Sequence, residues 1–161
     1  MQGSNLVETA PNPEPPPLFL FMNTGKFTFT GAELGIEARF SGKFSSHLFF
    51  TYLDPREKTK GRPGQKWDAS FRFEDKALFV SLQGQYITDY FSADLSQNPL
   101  PSYFLLNARA SVELSRFCDI FLDINNILDT DYLIYLDLPG IETGSYPMPK
   151  RNVNLGITLK H

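Results

Sequence analysis

Most of the chain alternates apolar and polar residues with a period of two. In the segment 103–114, every second residue from Phe104 to Leu114 is apolar, and the positions between them are polar from Asn107 to Glu113. Successive side chains of a β-strand point to opposite faces of a sheet. The segment therefore predicts a strand of about a dozen residues with one apolar face.

The same alternation recurs along the chain and predicts seven or eight strands. Further segments with this pattern span residues 32–41, 48–53, 67–74, 78–85, 119–125 and 152–160, and one less regular segment runs from 18–22 into 26–30. No run approaches the roughly 18 consecutive apolar residues of a membrane-spanning helix. The pattern predicts an all-β chain.

The links between the strands alternate strictly between short and long. Short turns are predicted at 41–43, 74–76 and 115–116, and long loops at 54–66, 89–101 and 126–150. In an antiparallel up-and-down sheet, this order places all long loops at one end and all tight turns at the other. Residues 10–17 are proline-rich and predict an extended loop that forms neither helix nor ladder, because proline lacks the N–H group. We therefore divide the chain into a leading segment, 1–17, and a β-domain, 18–161.

Strand length and the polar faces favour a transmembrane β-barrel over a soluble β-sandwich. Soluble strands average about 5–6 residues, whereas several strands here have the roughly ten residues that cross a bilayer when tilted. Aromatic residues near strand ends, among them Tyr52, Trp67, Tyr86 and Tyr103, fit interfacial girdles. Charged residues on the polar strand faces suit a wet lumen, and the candidates for lumen-facing positions are Glu33, Glu37, Arg39, Arg72, Arg109, Glu113, Asp119 and Asp123.

Composition excludes several classes of function. The net charge of −3 and the pI of about 5.3 provide no basic surface for nucleic acid. The single cysteine excludes an internal disulfide and a multi-cysteine zinc site. Aromatic residues make up 14% of the chain while His47 and His161 are the only histidines, so the chain offers much ring surface and little acid–base chemistry near neutral pH.

The acidic, asparagine-rich segment 119–131 raises the question of a calcium site. Its spacing matches no EF-hand loop, and period two spreads its first carboxylates along a strand. The favoured interpretation is that Asp119 and Asp123 face a wet lumen, while Asn125 and Asn126 satisfy backbone groups as the strand ends. No metal site is predicted.

Glu33 and Glu37 are the other carboxylate pair that invites a chemical role. Four residues along a strand correspond to about 13 Å, which exceeds the separation used by glycoside hydrolases. We expect them to pair with Arg39, Arg72 or Arg109 instead. No catalytic residue and no cofactor site is predicted, and the chain is expected not to be an enzyme.

The long loops carry the candidates for ligand contact, because rigid scaffolds place specificity in their loops. Basic residues of 54–66 suit an anionic ligand, and tyrosines of the last loop suit stacking on one. The alternatives are a solvated loop tip and packing between loops. The candidates are Lys58, Lys60, Arg62, Tyr132, Tyr135 and Tyr146.

Several segments in order resemble TonB-dependent outer-membrane receptors. The stretches FLDINNILDTDY (121–132) and GSYPMPKRNVNLGITLKH (144–161) resemble the last two strands of that family, and MNTGKFTFTGAELGIEARF, FFTYLD and LPSYFLLNARASVEL resemble earlier ones. The family's Pro-Gly-Arg segment here has Lys150 in place of glycine, and its C-terminal aromatic residue is replaced by His161. The matching motif residues are Asn125, Asn126, Asp129, Tyr132 and Arg151.

The resemblance implies a place in the outer membrane of a Gram-negative type of cell and a role in uptake. Such receptors are plugged barrels of about 22 strands, so the chain resembles the C-terminal third of one. The implied partners are outer-membrane lipid, the remaining barrel and plug, TonB through that plug, and a small nutrient such as an iron–siderophore or cobalamin. Two alternatives stay open: a small self-contained structural or adhesive barrel, and a soluble β-sandwich binding module.

Overall fold

The structure, a computed structural model, describes residues 2–3, 7–11, 19–23, 27–54, 56, 61–91, 99–136 and 144–160. These residues form strands, turns and loops, and no helix occurs among them. The strands are β1 (Gln2–Gly3), β2 (Val7–Pro11), β3 (Phe19–Asn23), β4 (Phe27–Thr28), β5 (Thr30–Phe40), β6 (Phe44–Asp54), β7 (Gln65–Asp75), β8 (Leu78–Thr88), β9 (Tyr103–Ser115), β10 (Cys118–Asn125), β11 (Leu133–Leu136), β12 (Gly144–Pro147) and β13 (Asn152–Leu159).

A seven-stranded sheet in the order β5-β6-β7-β8-β9-β10-β13 dominates the fold. Every neighbouring pair in it is antiparallel. The predicted all-β class and up-and-down order are thereby confirmed, and the long loops lie at one end with the tight turns at the other. The sheet is consistent with part of a β-barrel. It is open within the described residues, because β5 and β13 do not pair with each other.

The first tight turn shows how local residues set a hairpin. Ser41 and Gly42 have φ angles of 51° and 67°, the left-handed conformation that such turns need. Phe40 then pairs directly with Phe44, so β6 begins earlier than the predicted 48–53. The alternation was obscured there because Ser45, Ser46 and His47 form an unbroken polar run.

Short hairpins outside the main sheet correct two predictions. Residues 10–17 were predicted to form no ladder, but Ala10 and Pro11 pair with Leu20 and Phe19. Proline is tolerated there because it stands at the end of β2, where its missing N–H costs little. The predicted loop 126–150 contains the hairpin β11–β12, whose four-residue strands are too short to show a clear alternation.

The register separates one apolar face of the sheet from one polar face. A row of paired residues crosses the apolar face from β5 to β13: Ala38, Ser46, Phe71, Leu82, Ala108, Ile124 and Val153. The neighbouring row on the polar face is Arg39, Ser45, Arg72, Ser81, Arg109, Asp123 and Asn154. Because one residue of register slip would mix the two sets, this separation fixes the pairing of the strands.

The apolar face is left uncovered by the described part of the chain. Its large side chains are exposed, including Ile36, Leu48, Phe71 and Leu82. The buried hydrophobic side chains among the described residues are Ile87 and Tyr103, so these residues build no core of the usual kind. A β-sandwich would cover such a face with a second sheet, whereas among the described residues the large apolar side chains of this face remain exposed.

Aromatic residues border the apolar face at both ends of the strands. At the loop end, Trp67 pairs with Tyr86, and its ring centroid lies 4.2 Å from that of Phe50. At the turn end, the ring centroids of Phe44 and Phe73 are 4.8 Å apart. Six residues of strand separate Trp67 from Phe73, or about 20 Å. Tyr103, predicted in the same girdle, lies on the polar face instead, since it pairs with Ile87.

No helix among the described residues is long and apolar enough to cross a membrane.

Candidate functional site

The polar face of the sheet brings together the charged residues predicted to face a lumen. The register places all of them on this one face: Glu33, Glu37, Arg39, Arg72, Arg109, Glu113, Asp119 and Asp123. The face continues across all seven strands, so these side chains share one solvent environment.

Ion pairs on this face join residues within one strand or on strands close to each other in the sheet. Arg39 Nη2 lies 3.0 Å from Glu37 Oε1, which confirms one of the expected pairings. Arg109 pairs instead with Asp123 on the next strand, at 3.4 Å, because β5 and β9 are four strand spacings apart, or about 19 Å. The guanidinium of Arg72 lies over the ring of Phe79 at 5.6 Å.

The turn end of the face carries an ion-pair cluster that the sequence did not reveal. Lys160 Nζ lies 2.8 Å from Asp119 Oδ1 and 3.5 Å from Glu113 Oε2. These contacts join the end of β13 to β10 and β9. The alternation of β13 places Lys160 on the polar face. Its partners depend on the register shift between Cys118 and Asp119, and alternation alone does not predict that shift.

Shallow depressions on the polar face offer amide, hydroxyl and charged groups to a solute. One is lined by residues of β6 to β9, and among them are His47, Asp68, Ser70, Gln83, Gln85 and Asn107. A second, beside it, includes Ser81, Arg109, Asp123 and Asn125. In the first, Gln85 Nε2 donates to Asp68 Oδ1 at 2.8 Å. Such a set provides donors and acceptors for a polar molecule or for water.

The loop 125–132, which carries most of the family-motif residues, is organised around Asn126. Asn126 is 4% exposed and has a φ angle of 51°. Its side-chain Nδ2 donates to Thr130 O at 2.9 Å, and its Oδ1 accepts from Thr130 N at 2.9 Å. The expectation that Asn126 satisfies backbone groups where the strand ends is confirmed. Asn125 differs, since its amide donates to the side-chain oxygen of Asn152 at 2.9 Å.

The same loop is bonded to strand β9. Asn126 N donates to Asn107 Oδ1 at 2.8 Å, and Ile127 N donates to Leu106 O at 2.7 Å. The Thr130 hydroxyl donates to Phe104 O at 2.9 Å. The chain therefore stays attached to β9 after β10 has ended. The sequence predicted Asn107 only as a polar-face residue. Its partner Asn126 lies beyond the end of β10, and alternation alone does not show that the two residues meet.

The loop also holds the entry to β13. Asp129 Oδ1 accepts from Arg151 N at 2.9 Å, and the Arg151 guanidinium lies 3.7 Å from Asp129 Oδ2. The hydrogen bond from the Arg151 backbone, aided by its guanidinium charge, lowers the pKa of Asp129. Lys150 Nζ lies 3.1 Å from Asp131 Oδ1, and this contact raises the pKa of Lys150. The carboxylates of the motif thus bind protein groups, and the described residues contain no cluster of three or more His, Cys, Asp or Glu that could hold a metal ion.

Of the candidates for ligand contact in the loops, Arg62, Tyr132 and Tyr146 lie among the described residues, and each contacts a different part of the chain. The ring of Tyr132 packs on Tyr103 with centroids 4.8 Å apart, as the packing alternative expects. The Arg62 guanidinium lies over the ring of Phe29 at 5.3 Å. Tyr146 stands in β12, paired with Ile134. Lys58, Lys60 and the side chain of Tyr135 lie outside the described residues.

The polar face also contains a packed spot that the sequence analysis missed. The ring of Phe121 lies directly over Gly156, so closely that a Cβ at Gly156 would clash with it. The Arg109 guanidinium lies 4.9 Å from the centre of the Phe121 ring. The sequence feature that could have indicated this packing is Phe121, an aromatic residue at a polar-face position of β10. It pairs with Gly156, which has no side chain to keep the ring away.

These features define a class of architecture, an open antiparallel sheet of the kind that forms part of a barrel wall. No protein-family model matches the chain. Among solved structures, the fold is similar to that of Copper transporter OprC, with a TM-score of 0.69 and 11% sequence identity. The match covers 97% of this chain and 27% of that chain. At this identity the likeness shows the fold, and the chain spans about a quarter of the transporter's length.

Proposed function

We propose that this chain forms part of the wall of an outer-membrane β-barrel, with the apolar face against lipid and the polar face toward the lumen. The uncovered apolar face, bordered by aromatic rows, is the observation that carries the proposal. The rows lie about 20 Å apart along the strands, close to the roughly 25 Å apolar band of such barrels. Exposed apolar patches of this extent are rare on monomeric soluble proteins.

The barrel is proposed to be of the TonB-dependent receptor type and to take up a small nutrient. The motif resemblance in the last two strands supports this, as does the similarity in fold to a protein named as a transporter. Because the chain corresponds to 27% of that transporter, transport would need the remaining barrel, the plug and TonB acting through the plug. No enzymatic role is proposed.

The class of cargo is proposed from the polar face. Amide and hydroxyl groups such as those of Ser70, Gln83 and Asn107 line its central depression. These groups suit a polar organic molecule, such as a siderophore complex of iron or a cobalamin. A bare soft metal ion favours several thiolate, thioether or imidazole ligands, and the lining of this depression has one imidazole, that of His47, and no sulfur ligand. The proposed cargo thus differs from the copper in the name of OprC.

The single tryptophan gives a direct test of the membrane placement. Trp67 lies on the apolar face in the aromatic row of the loop end, and the chain has one Trp. In proteoliposomes, lipids brominated near the headgroup are expected to quench its fluorescence more strongly than lipids brominated near the chain ends. Aqueous iodide is expected to quench it weakly. Strong quenching by iodide and none by either lipid would support the soluble sandwich and reject the proposal.

A further inference from the structure

A depression at the turn end of the polar face is lined by charged groups of both signs. It is formed by β5, β6 and β7 and by the turn between β5 and β6, and its charged lining residues are Glu37, Arg39, Lys43, Arg72 and Glu74. A further carboxylate, that of Asp75, reaches Lys43 from the end of β7. Three cations thus lie beside three carboxylates, and the charges cancel. The net charge of the depression therefore favours neither a simple anion nor a simple cation.

Two ion pairs engage four of these six groups. Arg39 Nη2 lies 3.0 Å from Glu37 Oε1, and Lys43 Nζ lies 2.7 Å from Asp75 Oδ2. Lys43 is also a neighbour of Glu74, because Glu74 N donates to Lys43 O at 2.8 Å, but its ammonium group binds Asp75 instead. The two remaining charges both belong to β7.

Arg72 and Glu74 are the remaining charged residues. They lie two residues apart on the same face of β7, about 7 Å along the strand, and both are exposed. The Arg72 guanidinium lies over the ring of Phe79, 5.6 Å from its centroid, and Phe79 pairs directly with Glu74. Within the described residues, neither charge forms an ion pair. Contact with a ring leaves the N–H donors of a guanidinium available to an anion.

We infer that the depression binds a zwitterionic solute, with the carboxylate of the solute on Arg72 and its ammonium group on Glu74. A guanidinium matches a carboxylate with a fork of N–H donors, and an ammonium group offers three donors to a carboxylate. A molecule with both groups neutralises both unpaired charges, whereas a simple anion or cation leaves one of them unpaired. The ligand class is therefore an amino acid or a larger molecule that carries both groups. Its place in uptake rests on the proposed function.

Both contacts are exposed to water, so the binding is expected to be weak. Water screens exposed ion pairs, and the dissociation constant is expected in roughly the millimolar range. Loss of one of the two contacts should then weaken binding about two- to fivefold. A suitable probe is γ-aminobutyrate, because its methylene groups separate its two charges, as the backbone of β7 separates Arg72 from Glu74.

Nuclear magnetic resonance of the full, nitrogen-15-labelled chain in detergent micelles tests this inference. The Nε–Hε signal of Arg72, identified by its loss in Arg72→Lys, is followed during titration with γ-aminobutyrate at constant ionic strength. Sodium acetate and methylammonium chloride are the comparisons that carry a single charge. The internal control is Arg116, whose guanidinium also lies over a ring, that of Phe117 at 4.4 Å, but outside the depression.

The Arg72 signal is expected to shift saturably with γ-aminobutyrate, while the Arg116 signal stays in place. Glu74→Gln should raise the dissociation constant about two- to fivefold. The matched control is Glu113→Gln, which changes a carboxylate of the same face that pairs with Lys160, and it should leave the dissociation constant unchanged.

Four results would overturn the inference: no shift of the Arg72 signal, an equal shift with acetate, a parallel shift of the Arg116 signal, or unchanged binding by Glu74→Gln. The indole N–H signal of Trp67 shows in the same spectra that each variant is folded. Failure of the proposed membrane placement is distinguishable, because it appears in the quenching of Trp67 in proteoliposomes, whereas the titration needs no bilayer.

Discussion

Asn126 in the loop after β10 is 4% exposed, whereas the side chains of Arg39 and Glu37 on β5 are 80% and 60% exposed. Both regions are polar, and both occur in segments that the sequence marks as hydrophilic. The loop 125–132 uses its polar groups to bind neighbouring chain, while the ion pair on β5 lies within one strand and largely in water. Polar residues of the loop therefore hold strands together, whereas this part of the polar face contributes its charges to the solvent side.

The largest effect is expected from removing the Asn126 amide. Asn126→Gly keeps the positive φ angle accessible but leaves Thr130 N–H and Thr130 O without their partner. We expect a loss of about 1–3 kcal/mol in the free energy of unfolding, the usual cost of unpaired buried groups. Urea titration of the protein refolded in lipid vesicles measures it.

Asn125→Gly is the matched control for this change. The one hydrogen bond described for the Asn125 side chain joins it to the side chain of Asn152. Asn125→Gly should therefore lower the free energy of unfolding clearly less than Asn126→Gly does. If the two variants unfold at the same urea concentration, the loop is not held by the Asn126 amide and the contrast with the strand face fails.

Period two was enough to predict the strands and the two faces, because alternation reports directly on which side of a sheet a residue lies. Partners across strands were not predictable, since register depends on where each turn begins. Arg109 illustrates this limit: its face was predicted, but its partner Asp123 follows from the β9–β10 pairing. The bond from Asn126 to Asn107 was hidden for the same reason. The hairpin β11–β12 was missed because its four-residue strands are too short to show a clear alternation.

A smaller loss is expected where Phe121 packs over Gly156 on the polar face. Gly156→Ala places a methyl group where the Phe121 ring lies, and overpacking of this kind costs about 1–3 kcal/mol. Because Phe121 is half-buried and the atoms nearest to Gly156 are the far end of its side chain, we expect the low end of that range in the same urea titration. The double variant Gly156→Ala with Phe121→Ala should recover part of the loss. If Gly156→Ala alone has no effect, the polar face has no packed spot at this position.

Acid should weaken the loop through Asp129. Its pKa is lowered in the folded state, chiefly by the hydrogen bond from Arg151 N–H. As the pH falls, the Asp129 carboxyl of the unfolded chain is protonated before that of the folded chain. The ionised carboxylate therefore stabilises the folded state fully above the ordinary pKa of about 3.9, and this stabilisation is lost as the pH falls through the lower pKa of the folded state. When the pH is lowered below about 4, the urea concentration at the unfolding midpoint should decrease. Asp129→Asn should remove the part of this decrease that Asp129 causes.

Arg151→Ala separates the two causes of the Asp129 shift. The backbone N–H of residue 151 remains in this variant, so most of the acid dependence should persist while the guanidinium contact is lost. If Arg151→Ala instead abolishes the decrease in stability at low pH, the charge of the guanidinium, rather than the backbone hydrogen bond, sets the pKa of Asp129.

The smallest effect is expected from Arg39→Ala on the polar face. Its ion pair with Glu37 is exposed on both sides, and exposed pairs contribute about 0–1 kcal/mol because water screens the charges. The urea midpoint should therefore change little. If the polar face lines a lumen, the same variant should shift the ion selectivity of the assembled barrel toward cations, since it removes a positive charge from the wall. A large loss of stability with unchanged selectivity would mean that this face is buried against other polypeptide, and the contrast between loop and strand face would then no longer hold.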